Sequence, residues 1–164
     1  MYIWNIKALK KELAANTLTE AQVFSYFLVM LTLDTLMFQL APLFPSTGET
    51  NVWDYVGYAG SVAFTVGGAL LAYRMNGGGG GRGFLARYFP LMLVLNVRFL
   101  VFLFPFLVVA MAAMYYFSAA LFGAGAADAD FAALSMYVVL LSWAWFLVFY
   151  YRLAVHLRDV ARSP

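Results

Sequence analysis

The chain has 164 residues, 65% hydrophobic and 11% charged, with a net charge of +2 and a mean hydropathy of +0.82. Soluble domains run near half apolar and a quarter charged, so this is the composition of a chain dissolved in lipid, and its length holds one domain at most. So small a net charge excludes nucleic acid as a partner, and the absence of cysteine excludes disulfides, thiolate metal sites and cysteine nucleophiles.

Residues 1–16 read as a cytoplasmic amphipathic helix. Ile6, Leu9 and Leu13 recur at helical spacing on one side, and Lys7, Lys10, Lys11 and Glu12 fall elsewhere. A lysine-bearing helix of this kind beside a membrane span is expected to lie in the interface as a topological anchor. A break at Asn16 follows, and Thr17 with Glu20 has capping-box spacing for the next helix.

A hydrocarbon core of about 30 Å needs about 20 residues of helix, and four stretches qualify: 21–43, 53–73, 88–118 and 131–151. The predicted fold is therefore an all-α, four-span domain over 17–152, preceded by the interfacial helix and followed by a cytoplasmic tail at 153–164. The first stretch follows a charged helix and lacks a short apolar core with a small-residue cleavage site, so it reads as a span and not as a cleaved leader.

Asp34 lies thirteen positions past Ala21 in the first span, too deep for a short side chain to reach either surface. A charge near the bilayer centre costs at least ~2.5 kcal/mol and needs a partner, a proton or a water path. Ser25, Thr32 and Gln39 fall seven residues apart on one face, and Asp34 points the opposite way, which gives this helix two polar stripes. They serve either as hydrogen-bonding glue between helices or as part of a conducting or sensing interior.

In the second span Trp53 and Tyr55 mark one membrane edge, and Tyr73 beside Arg74 marks the other. Ala59, Ala63 and Gly67 recur four residues apart, and Gly60, Gly68 and Ala72 line a neighbouring row. Small residues so spaced let helix backbones approach closely, so this span is the expected packing centre, within one chain or between copies.

The connection 75–83 contains NGGGGGRG. It joins two membrane helices and lacks the Lys-Ser or Lys-Thr ending of a phosphate-binding loop, so it reads as a flexible cytoplasmic hairpin. Arg82 and Arg87 flank the next helix and are candidate contacts for anionic lipid headgroups. The third span lies within 84–122, a stretch too long for one perpendicular crossing, so a tilt or an interfacial first turn is expected. It carries Asn96 and Arg98, and Arg98 is the expected intramembrane partner of Asp34. Ser118, Ser135 and Ser142 are further polar positions.

All ten Lys and Arg lie before the first span, around the second connection or after the fourth span, whereas the other two connections carry Glu49, Asp128 and Asp130 with no Lys or Arg. Basic short loops stay cytoplasmic, which puts both termini inside, in a bacterial inner membrane by this reading. His156 falls in the tail, where an exposed position is expected. One histidine without cysteine offers no haem or zinc set, and the carboxylates are scattered, so neither cofactor nor catalysis is expected.

The function expected from these residues is that of a small, non-enzymatic, self-associating membrane protein, with a channel or pore lined by Asp34, Gln39, Asn96 and Arg98 as its concrete form. The alternatives are an accessory subunit packed on a larger membrane partner and a lipid-interacting membrane protein.

Overall fold

The computed structural model describes residues 2–40, 50–81, 83–122 and 131–163; Glu49, Arg82, Asp128 and Asp130 lie outside them. Among the described residues the fold is all-helical: α1 (Ile6–Ala14), α2 (Glu20–Leu40), α3 (Val52–Met75), a short 3-10 turn at Gly78–Gly80, α4 (Phe84–Phe122) and α5 (Phe131–Arg162). Three stretches are long and apolar enough to cross a membrane, Val52–Met75, Phe84–Leu103 and Ser135–Arg162, which makes this a helical membrane protein. The first expected span, α2, does not join those three among the described residues; its end abuts 41–49, which lie outside them.

Helix α1 forms where the spacing puts it. Asn5 caps it by accepting from the Ala8 N–H at 3.0 Å, and Asn16, with a φ of 51°, takes the left-handed turn that ends it. Its place is a correction to the interfacial expectation. Ile6, Leu9 and Leu13 are buried in one cluster with Leu91 and Val94 of α4 and Leu153, Leu157 and Val160 of α5. The cause is legible afterwards: α5 does not stop at Tyr151 but continues to Arg162, and its Leu153, Leu157 and Val160 form an apolar stripe that the α1 stripe covers. The expected tail is thus part of a helix. Among the described residues the core cluster gathers at this basic end of the bundle.

Helix α2 starts one capping box later than expected. Thr19 N–H donates to Gln22 Oε1 at 2.9 Å and Gln22 N–H to Thr19 Oγ1 at 3.3 Å, while the Thr17 hydroxyl turns back to the Glu12 carbonyl at 3.2 Å. The sequence TLTEAQ contains both boxes, and Thr17 is taken up closing α1.

Helix α3 is started by a second reciprocal cap. Asn51 accepts from the Trp53 N–H and receives the Asp54 carboxylate on its own N–H, each at 2.8 Å. The Asn51 amide also donates to Ser135 Oγ at 2.8 Å, which sets the register of α5. From there the two helices run parallel: Gly57 faces Val139, Gly60 faces the Trp143 indole, and Gly68 faces the Tyr150 ring. At Gly57 an added Cβ would stand 3.0 Å from Val139, and at Gly60 and Gly68 it would meet ring atoms. Only hydrogen at these positions lets the aromatic faces sit on the α3 backbone.

Asn76 ends α3 and is buried, and Gly77, with a φ of 103°, turns the chain into the glycine run. Gly81 lies so close to the Asn76 carbonyl that a side chain there would collide with it. This connection is a built turn, where a flexible hairpin was expected.

Helix α4 is longer than the expected 88–118, running 39 residues through Pro90 and Pro105. At 1.5 Å per residue it measures about 58 Å, well beyond one perpendicular crossing. Near its start, at the basic end, Pro90, Leu91 and Leu93 to Leu95 are buried.

Candidate functional site

Two polar clusters remain after the fold is accounted for. The first clamps α1 to the bundle. Lys10 Nζ lies 2.6 Å from Asp159 Oδ2 on α5, a pair separated by 149 positions in the chain. Arg98 of α4 donates through Nε to the Trp4 carbonyl at 3.2 Å, its Nη2 donates to the same oxygen, and its guanidinium carbon sits 5.4 Å from the Trp4 ring centre. His156 stands one turn before Asp159. It is half-buried, correcting the exposed position expected of it, and its Nδ1 is buried without a hydrogen bond among the described residues. Burial, followed by the nearby Lys10 ammonium, holds its imidazole below the ordinary 6.5. Asp159 is held below the usual carboxylate range by the hydrogen bond from Lys10.

Beside this clamp, Tyr2 and α2 are tied together. The Tyr2 N–H donates to Tyr26 Oη at 2.6 Å, the Tyr26 hydroxyl reaches back to the Tyr2 carbonyl at 3.4 Å, and the Tyr2 hydroxyl donates to Glu12 Oε1 at 2.8 Å. The Glu12 hydrogen bond raises the Tyr2 phenol above its ordinary range. Tyr2, Glu12, Leu18, Gln22, Ser25 and Tyr26 enclose a cavity of about 260 Å³.

The second cluster is the expected intramembrane one, and the structure does not assemble it. Asp34 and Gln39 are exposed on α2, and Asn96 is half-buried on α4. Among the described residues no hydrogen bond or ion pair joins any of them to another or to Arg98, whose donors go to Trp4. The rings of Phe27 and Phe89 meet at 4.9 Å. Asp34 and Asn96 each lie seven residues beyond that contact on helices that both start at the basic end, so they share a depth. The expected Asp34–Arg98 pair is absent because the N-terminal segment offers Arg98 a carbonyl and an aromatic face near its own depth.

The stripe of hydroxyls does not act as glue. Ser25, Thr32 and Thr35 donate to the carbonyls of Ala21, Leu28 and Leu31 at 2.8 Å each, and Ser142 donates to Val138 at 2.7 Å. In apolar surroundings a hydroxyl finds its nearest acceptor one turn back on its own helix. The side chain of Ser118 lies outside the described residues.

Of the two small-residue rows on α3, Gly60 and Gly68 meet α5 and Ala72 is buried, whereas Ala59, Ala63 and Gly67 are exposed, with no atom within 4 Å of an added Cβ at Gly67. Arg87 donates to Asn76 Oδ1 at 3.3 Å, so this headgroup candidate also braces the turn. An apolar cavity of about 300 Å³ opens between α4 and α5 against Phe99, Phe102, Phe106, Leu141, Trp145 and Val148.

Sequence reasoning missed the Tyr2, Glu12 and Tyr26 cluster and the Lys10–Asp159 pair. Neither has a local signal: the partners are 24 and 149 positions apart, and nothing in their spacing announces them. Compared with family models, with curated proteins and with solved structures, the chain matches none.

Proposed function

We propose that this is a non-enzymatic, four-span membrane protein with both termini on the cytoplasmic side of a bacterial inner membrane, and that it acts as a subunit of a membrane assembly. It packs against a larger partner through the Asp34 face of α2. The carrying observation is that Asp34, fourteen residues past Glu20 and so about 21 Å along the helix, is exposed and has no ion pair or hydrogen bond among the described residues. A carboxylate at that depth is tolerated when it faces protein or water. With Arg98 committed to Trp4, the partner for Asp34 comes from outside the chain. The contact between Lys10 near one terminus and Asp159 near the other supports a shared side for both ends, as does the clustering of basic residues there.

A second reading, a self-associating channel, is favoured by the exposed Ala59, Ala63 and Gly67 row, which suits close approach by another helix. Copies so packed would turn Asp34 toward a common path, where rings of carboxylates select cations.

The chain has no cysteine, so a single Thr35→Cys variant places one crosslinking site beside Asp34. Crosslinking in native membranes should yield one heterologous adduct that Asp34→Asn abolishes. Self-adducts alone would select the channel reading, and no adduct of either kind would sink both.

A further inference from the structure

The cavity between α1 and the start of α2 is built to hold a positively charged group, and we infer that it is an ammonium-binding site at the basic end of the bundle, fitted to an aminoalcohol such as ethanolamine, free or as a lipid headgroup. The inference is independent of the assembly reading above.

Its walls are largely apolar, and among the polar groups set in them acceptors predominate. Glu12 accepts the Tyr2 hydroxyl on Oε1 only, which leaves Oε2 and the remaining lone pairs open among the described residues. Ser25 spends its proton on Ala21 and so presents oxygen lone pairs. Tyr2 likewise spends its proton on Glu12 and presents its phenol oxygen. The Tyr26 ring is 1% exposed and its oxygen is saturated by Tyr2, so it forms a rigid floor. Three donors on one ammonium match this set, and an anion would be repelled by it.

The surrounding dipoles agree. Glu12 sits in the last turn of α1, where the negative end of the helix dipole favours a cation. The start of α2 would ordinarily attract an anion, but the Thr19–Gln22 box takes up the Gln22 amide and Glu20 adds a negative charge in its first turn. Gln22 contributes its carbonyl to that box, leaving its amide protons toward the cavity. They suit the oxygen-bearing end of an aminoalcohol. An ammonium that also carries an oxygen would engage both the acceptors and the Gln22 amide, whereas a bare metal cation would leave the Gln22 donors unused.

The test uses purified full-length protein in two arms. In nanodiscs of equal phosphatidylethanolamine and phosphatidylglycerol, the lipid retained through native mass spectrometry is quantified. In nanodiscs of phosphatidylglycerol alone, ethanolamine is titrated and thermal unfolding is followed. The expected result is Glu12-dependent binding in at least one arm, weakened about tenfold by Glu12→Gln, which keeps an acceptor for Tyr2 but removes the charge. Retention of phosphatidylethanolamine assigns a lipid headgroup, and an ethanolamine shift without lipid selection assigns a soluble amine. Ser25→Leu, which fills the cavity from α2, should abolish the same signal and keeps the test valid if Glu12→Gln fails to fold. Lipid ratios equal to the bulk together with no ethanolamine shift would overturn the inference, as would binding unchanged by both variants.

Discussion

In the seam between α3 and α5, each unusual residue of α3 is answered inside the chain: Gly60 by Trp143, Gly68 by Tyr150, and Asn51 by Ser135. Along α2 the corresponding features face outward, with Asp34 and Gln39 exposed and the hydroxyls folded back on their own helix. The contrast separates two kinds of demand. A shape demand, the missing side chain of a glycine, is met by any ring of the right size. A charge demand needs a complementary group, and Arg98, which lies near the depth of Asp34, is committed to Trp4. The α1–α3–α4–α5 body is therefore the scaffold, and α2 is the helix on which the proposed partner contact falls.

The comparison breaks first if the scaffold is not where the stability lies. Leu9 is fully buried, so Leu9→Ala should cost about 2–5 kcal/mol, while Leu36→Ala on the exposed face of α2 should stay within about 0.5 kcal/mol. Thermal unfolding in detergent reads both, and equal losses would end the distinction. The two glycine rows give a sharper version. Gly68→Val drives a branched side chain into the Tyr150 ring and should cost about 1–3 kcal/mol. Gly67→Val, with open space around it, should change unfolding by less than about 0.5 kcal/mol.

Sequence reading reached the scaffold's vocabulary without its grammar. The helices around 53–73 and 131–151 and the α1 stripe were legible because apolar periodicity is local, and the small residues of α3 announced a packing surface for the same reason. Which row of α3 is used was not legible, since that depends on where Trp143 and Tyr150 arrive. Nor was the extension of α5: Arg152, His156 and Arg158 look like a solvated tail until α1 supplies the cover for Leu153, Leu157 and Val160. Asp34 was identified as anomalous from depth alone, but its proposed partner failed because Arg98 had a nearer acceptor in a segment with no sequence link to it.

The clamp on α1 has a pH signature. His156 has a folded value below 6.5, so the folded state favours neutral imidazole, and its contribution is present above about 6.5 and lost as pH falls through the folded value. Asp159 acts in the same direction further down, its contribution being present above the ordinary 3.8 and lost as the carboxylate protonates. Protonated His156 would also add a cation beside Lys10, Arg98 and Arg152. Amide exchange of α1, corrected for intrinsic rates, should therefore quicken between pH 7.5 and pH 5, whereas α3 should not respond; His156→Gln should flatten that slope. A small effect is expected of Asp159→Asn at neutral pH. Its carboxylate is 42% exposed, so removing the pair should loosen α1 by no more than about 1 kcal/mol.

The 149-position separation between Lys10 and Asp159 also has a meaning in time. A ribosome delivers α1 well before its counterpart on α5, with α2, α3 and α4 made in between. Until that late helix arrives, Leu9 and Leu13 have no complete surface to settle on, and the early helix waits as an amphipathic segment of the kind its own sequence suggests. The closing of this long loop thus records that the helices between its two ends have been made.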